Sequence, residues 1–262
     1  MIRDLFHQIF WKVKHYLKKT TRKDIKSTFL SDLLDATINS PTSFYAFDKI
    51  NAQRQNLAQN RSLVDEIDFG QKSRLKNKQR TVNSIYKSSS ISTKNGELLF
   101  KIINHLKSQS IIELGTCLGV STMYFASPNK QNKVYTFEGN TARSKIARNT
   151  FKQLKLQNIE LLEGDIDITL SSKIQELETI DFVFFDANHS YEATLKYYEL
   201  LKPLHNANTL FVFDDIYWST GMTQAWNEIN SDKTNTITIS SSSMGFVFFK
   251  QNEHKKHYYL KM

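Results

Sequence analysis

Ile111-Ile112-Glu113-Leu114-Gly115-Thr116-Cys117-Leu118-Gly119 is the stretch on which the fold turns. A short apolar run, 111–114, has the length of a buried strand and leads straight into a turn bracketed by two glycines. Glycine lets such a turn tighten, and it lets backbone approach a ligand with no Cβ in the way. The spacing is not the G-x-G-x-x-G of a dinucleotide fold, and no Lys-Ser/Thr follows as in a phosphate loop. A nicotinamide oxidoreductase is thereby disfavoured, but a glycine turn after a strand is common, so its neighbours decide the reading.

Downstream of 111, short apolar runs alternate with helical patterns. Strands are expected at 111–114, 134–137, 159–162, 182–185, 210–213, 237–239 and 246–249. Five strand–helix units point to a parallel sheet covered by helices on both faces. The last two strands are joined only by the serine-rich turn 240–243, so they should pair antiparallel.

Ligands of such sheets bind beyond the carboxyl ends of the strands, and those ends carry polar residues here. The second strand ends at Glu138, which can accept hydrogen bonds from ribose hydroxyls or simply open a helix. The third is followed by Gly164-Asp165-Ile166, a carboxylate suited to an adenine amine and an apolar neighbour suited to its ring. The fourth ends in Asp186-Ala187-Asn188-His189-Ser190, and the fifth in Asp214-Asp215-Ile216-Tyr217-Trp218.

In that order and spacing the stretch from 111 to about 249 resembles the class I S-adenosylmethionine (SAM)-dependent methyltransferases. Ile112-Glu113-Leu114-Gly115-Thr116-Cys117-Leu118-Gly119 is similar to the family's first motif. Thr136-Phe137-Glu138-Gly139 resembles its ribose-binding acidic motif, and Glu163-Gly164-Asp165 its adenine-binding motif. The closing hairpin resembles its reversed seventh strand. The resemblance implies a Rossmann-like α/β fold, doubly wound and mostly parallel, with seven strands, the last antiparallel. It implies SAM as cofactor, with Glu113, Gly115, Thr116, Gly119, Glu138, Asp165, Ile166 and Asp186 as candidate contacts. The Asp/Asn-Pro-Pro-aromatic motif of base-modifying amino-methyltransferases is missing at Asp186-Ala187-Asn188-His189, which favours O-methylation of a small-molecule, sugar or lipid-type acceptor.

For catalysis the candidates are Asp186 and His189, the latter with an ordinary imidazole pKa near ~6.5 as a general base. Asp186, Asp214 and Asp215 offer three hard oxygen donors on neighbouring strand ends, as for Mg²⁺ or another divalent metal. Catechol-type O-methyltransferases resemble this, with Asn where Asp215 stands. Each aspartate can equally cap a helix or order a loop. Tyr217 and Trp218 are expected either to wall the acceptor pocket or to belong to the core. Cys117 is read as a small residue in a tight turn.

Upstream, residues 1–92 are expected to form a basic helical extension to the domain at 93–262. Helical patterns cover 2–19, 28–38 and 44–57, and Leu98, Leu99, Ile102, Ile103 and Leu106 mark a strong helix before the first strand. Along 2–19, Ile2, Leu5, Phe6, Ile9, Phe10, Val13, Tyr16 and Leu17 make an apolar stripe opposite lysines. Packing on the protein's own core or on a second subunit of a homodimer is the first expectation, and peripheral contact with an anionic membrane the second. A non-catalytic SAM-binding module docked through this helix is the alternative to an enzyme. Stretch 69–78 reads as loop, and Asp68-Phe69-Gly70 resembles a kinase magnesium triplet only by chance, since no catalytic loop accompanies it.

Composition bounds the rest. The 262 residues are 40% apolar and 23% charged, enough for a sizeable core and against global disorder. Residues 1–110 hold 20 Lys/Arg against 9 Asp/Glu, and residues 111–262 hold 15 against 17. No nucleic-acid-binding module accompanies the basic part. One cysteine excludes an internal disulfide and fits a reducing, cytoplasmic setting. No apolar run approaches the roughly 20 residues of a membrane span, and lysines interrupt what would be the core of a signal peptide.

Overall fold

The computed structural model describes residues 2–66, 78–251 and 253–261. Its helices are α1 (Ile2–Leu17), α2 (Thr28–Ala36), α3 (Tyr45–Gln59), α4 (Val82–Ser89), α5 (Thr93–Leu106), α6 (Val120–Ala126), α7 (Thr141–Gln153), α8 (Ile166–Lys173), α9 (Tyr191–Leu201) and α10 (Thr220–Ser231). Its strands are β1 (Leu63–Glu66), β2 (Lys78–Thr81), β3 (Ser110–Leu114), β4 (Lys133–Glu138), β5 (Ile159–Glu163), β6 (Ile180–Phe185), β7 (His205–Phe213), β8 (Ile237–Ser240), β9 (Gly245–Phe248) and β10 (Lys256–Tyr259). The strands are mostly parallel with antiparallel members near the end, and helices precede them, which is the expected Rossmann-like α/β class. Asp68-Phe69-Gly70 lies outside the described residues, as does all of 69–78 except Lys78, which opens β2. No helix among the described residues is long and apolar enough to cross a membrane.

The chain forms two compact units, residues 36–176 and residues 1–35 with 177–262. The helical leader is therefore shared out: α1 and α2 belong to one unit, and α3 and α4 to the other.

In the unit 36–176, β3, β4 and β5 run parallel, with Leu114 level with Phe137 and Phe137 level with Leu162. That register puts the three turns that follow at one edge. Ile111, Ile112, Leu114, Val134 and Phe137 are fully buried, as expected of parallel strands covered on both faces. Burial of each is worth roughly 1.5–3 kcal/mol. Phe44, Phe47 and Phe100 pack with ring centroids 4.8–5.5 Å apart, and Ala147 and Phe151 of α7 pack on Leu161 of β5. Helix α5 starts on Ser92, whose hydroxyl accepts the Asn95 N–H, and ends at Lys107 in a left-handed conformation. The antiparallel pair β1–β2 and helix α4 are additions to the expected elements.

In the other unit, β6 and β7 are parallel, with Phe185 level with Phe213. Strand β9 is antiparallel to both β7 and β8, so the expected closing hairpin and reversed strand are both present. Strand β10, parallel to β8, lies beyond the seven strands expected. Gly245 is required where it stands, because a Cβ there would meet the Trp226 ring at 2.5 Å. The apolar stripe of α1 is not packed on its own unit: Phe6, Phe10, Val13 and Leu17 are exposed.

Candidate active site

Three turns of the unit 36–176 are tied together through the end of β4. The amides of Gly115 and Thr116 both donate to the Phe137 carbonyl, at 3.1 and 3.0 Å. The Gly164 amide donates to the Glu138 carbonyl at 2.9 Å. The Glu138 carboxylate is almost wholly buried; Oε2 accepts the Cys117 N–H and Oε1 the Asn140 N–H, each at 2.8 Å. Residues read as three separate motifs thus share one hydrogen-bonded junction. The first turn needs its glycines: Gly115 has φ +104° and Gly119 +78°, and a Cβ on Gly119 would sit 2.5 Å from the Phe151 ring. Cys117 takes φ +49° within the same turn, and the Gly119 amide closes it onto the Thr116 carbonyl at 2.8 Å.

Glu113 is fully buried. Its Oε2 accepts hydroxyls of Thr122 at 2.5 Å and Thr136 at 2.6 Å, and Thr116 Oγ1 lies 2.5 Å from Thr136 Oγ1. Glu113 therefore braces the turn from beneath, and Thr122 and Thr136 are the partners that sequence reasoning missed. The available signal was two hydroxyls at buried positions flanking an apolar strand. Asp165 is exposed and caps α8, its Oδ1 accepting the Asp167 N–H at 2.9 Å; Ile166 beside it is half-buried. Asn140 was also missed. It caps α7 through Ala142 and Arg143, and its side-chain amide donates to the Asp65 carbonyl of β1 at 2.9 Å. An Asn directly before a helical pattern is the cap signature that could have found it. The Glu138 carboxylate, standing at the strand ends where three turns meet, is the feature here whose chemistry suits the ribose of SAM.

The second cluster lies in the other unit. Asp186 and Asp214 directly follow the register pair Phe185–Phe213, and the Asp214 amide donates to the Phe185 carbonyl at 3.0 Å. Asn188 and His189 both have positive φ, +60° and +23°, a turn that brings His189 back over Asp186. His189 Nε2 lies 3.4 Å from Asp186 Oδ1. The Asn188 amide group donates to the Tyr197 hydroxyl of α9 at 3.1 Å, and Ser190 caps that helix through the Ala193 N–H. Burial alone would lower the His189 pKa, but the hydrogen bond and charge of Asp186, with Asp215 and Asp214 nearby, raise it to about 9. The ordinary imidazole value expected for His189 is thereby corrected. Burial raises Asp186, against the pull of His189, and burial with the charges of Asp186 and Asp215 pushes Asp214 well above the carboxylate range.

The aspartates are close enough to feel one another. Among the described residues no group of three or more His, Cys, Asp or Glu is arranged to hold a metal ion. Asp186 is turned onto His189, and Asp214 Oδ1 accepts its neighbour's amide at 3.0 Å. Tyr217 is buried beneath Trp11, whereas Trp218 is largely exposed, so the two aromatics do not form one wall.

Residues 112–216 match the family model described as "Methyltransferase domain". Solved structures with the same fold include an SAH-bound methyltransferase from Podospora anserina, 16% identical over 85% of this chain and 94% of that one, TM-score 0.58. Another is an O-methyltransferase from Bacillus cereus in complex with SAH, 15% identical over 84% and 97%, TM-score 0.56. A third is an O-methyltransferase from Streptomyces achromogenes involved in tomaymycin synthesis, in complex with SAM, 14% identical over 85% and 95%, TM-score 0.56. At these identities the likeness is one of fold. The matched segment 112–216 spans the first turn, the Glu138 junction and both aspartate-bearing strand ends, so that the part of the chain carrying these features is the part similar to a methyltransferase domain.

Proposed function

We propose that the protein methylates an oxygen of a small-molecule acceptor, with residues 93–262 as the catalytic part and the leader 1–92 as its accessory. The Glu138 junction carries the reading of the cofactor side. Glu138, at the end of β4 where the three turns meet, is the acceptor for the ribose hydroxyls. Asp165 takes the adenine amine on the oxygen not used in its cap, and Ile166 covers the ring. The turn 115–119 holds the methionine portion, and Glu113, buried beneath, positions that turn. SAM supplies, when bound, a methyl group on a sulfonium whose departure needs no further activation.

What remains for the protein is alignment and a proton acceptor. The Asp186–His189 pair suits the second task. Asp186 fixes the ring and stabilises the imidazolium that forms when the acceptor's proton arrives at His189. With a pKa of about 9, roughly 1% of His189 is neutral at pH 7. Proton transfer from a phenol-type hydroxyl, with a pKa near ~10, is then close to balanced, whereas an aliphatic alcohol is far too weak an acid. An acidic hydroxyl on an aromatic or enolic acceptor is therefore the preferred substrate class. Two of the structural relatives are O-methyltransferases, which supports oxygen as the nucleophile. The lone Cys117 supports a reducing, cytoplasmic setting. The test is a screen of phenols, enols, sugars and amines with methyl-labelled SAM. Label transferred to phenols or enols supports the reading; label on amines alone overturns it.

A further inference from the structure

Helix α1 is held by the side opposite its apolar stripe. Trp11 stacks on Tyr217 with centroids 5.0 Å apart and planes at 9°. His7 Nε2 lies 2.8 Å from Thr223 Oγ1, and the Gln8 side-chain amide donates to the Trp218 carbonyl at 3.0 Å. His15 is buried, edge-on to the Tyr259 ring. At about 100° per residue, Phe6, Phe10, Val13 and Leu17 fall within about 60° of one another, facing away from Trp11 and His15. With Ile9 and Tyr16 they make six large side chains that are each at least half exposed, Leu17 at 77%. Single exposed apolar side chains are ordinary on a protein surface; a contiguous stripe along one helix is not.

Cations border the stripe. Lys14 and Lys18 lie between it and the docked side, with their ammonium groups 4.0 Å over the Trp11 ring and 5.3 Å over the Tyr259 ring. Lys19, two residues beyond the end of the helix, is exposed. Residues 1–26 hold eight Lys/Arg and two Asp/Glu.

We propose that α1 docks the protein on an anionic lipid surface, its apolar stripe lying at the level of the acyl boundary and its lysines among the headgroups. Charge selects this occupant over a second copy of the chain. A parallel apposition of two stripes would bring identical lysine borders together and an antiparallel one would offer them no net acidic partner, whereas anionic headgroups neutralise them. The arrangement is that of an in-plane amphipathic helix, with aromatic and aliphatic residues on the face turned from the protein and basic residues at its edges.

Sedimentation of the full chain with vesicles of phosphatidylcholine alone, and of phosphatidylcholine with phosphatidylglycerol, tests this. Expected is binding to the mixed vesicles only, falling steeply with salt. The triple change Phe6→Ser, Phe10→Ser, Leu17→Ser should abolish binding. Each of Lys14→Gln, Lys18→Gln and Lys19→Gln should weaken it about fivefold. All these side chains are exposed or at the border, so thermal unfolding and SAM affinity should be unchanged, which guards against misfolding as the cause. Absence of binding to the mixed vesicles overturns the proposal. So does binding that survives the triple serine change, which would be electrostatic adhesion alone. A wild-type dimer that the same change converts to monomer would assign the stripe to a second copy and overturn it as well.

Discussion

Replacing Glu138 by alanine should weaken both the fold and the grip on SAM, and the two losses can be separated. The carboxylate accepts two backbone N–H groups at 2.8 Å and is 8% exposed. A hydrogen bond to a charged group contributes about 1.5–3 kcal/mol, and water entering the turn recovers part of it, so a net loss of about 2–4 kcal/mol is expected. For a chain of this size that lowers the Tm by roughly 5–12 °C. Ribose hydroxyls left without their acceptor cost the complex a further ~1–3 kcal/mol, or about 5- to 150-fold in affinity. Glu138→Gln keeps an acceptor at one N–H and turns an NH₂ toward the other, so it should fall between. Calorimetry with SAH and with its 2′-deoxy analogue distinguishes a ribose contact from general damage. The missing hydroxyl should cost the wild type much and the alanine variant almost nothing. An equal deoxy penalty in both proteins, or SAH affinity in the variant within about twofold of wild type, would refute the assignment.

Further consequences concern the His189 pair and the first turn. With His189 raised to about 9, acceptor kcat/KM should rise about tenfold per pH unit and level off near pH 9. Asp186→Asn removes the group that raises it, so the break should move down to the ordinary 6.5 or below; an unmoved break excludes His189 as the base. The folded value lies above the unfolded one, so the pair's contribution to stability is complete below about pH 6.5 and lost as pH rises through about 9, visible as a pH-dependent Tm. With Asp186 serving His189 as the proton acceptor's partner, initial rates should be unchanged by EDTA; a loss restored by added Mg²⁺ would contradict this. Gly119→Ala combines a positive φ with a clash on Phe151 and should cost about 2–4 kcal/mol in denaturant unfolding; an unchanged midpoint would contradict the geometry of the turn.

Elements buried on both faces were the ones most legible in the amino-acid sequence. Strands β3, β4, β6 and β7 contain contiguous apolar runs because parallel strands under two helical layers have no solvent face. Strands β1, β2 and β10 escaped because they are four residues long and at least half of each is polar: in β1 Val64 is buried, while Leu63 and Asp65 are exposed. The stripe on α1 illustrates a different limit. Periodicity reveals that an apolar face exists, but the helix is anchored by His7, Trp11 and His15, whose partners Thr223, Tyr217 and Tyr259 lie some 200 residues away. At the candidate site the residue types and positions were legible, while their bonding was not. Glu113 turned out to be a buried brace, because hydroxyls from two other elements converge on it. The pKa of His189 depends on a backbone turn with two positive φ angles that composition does not announce.

Titration of SAM into the full chain by isothermal calorimetry tests the central claim most directly. The junction at Glu138 and the glycine turn at 115–119 predict one site per chain, with a Kd in the micromolar range or tighter, competed by SAH. No heat of binding at millimolar SAM from a folded protein would contradict it.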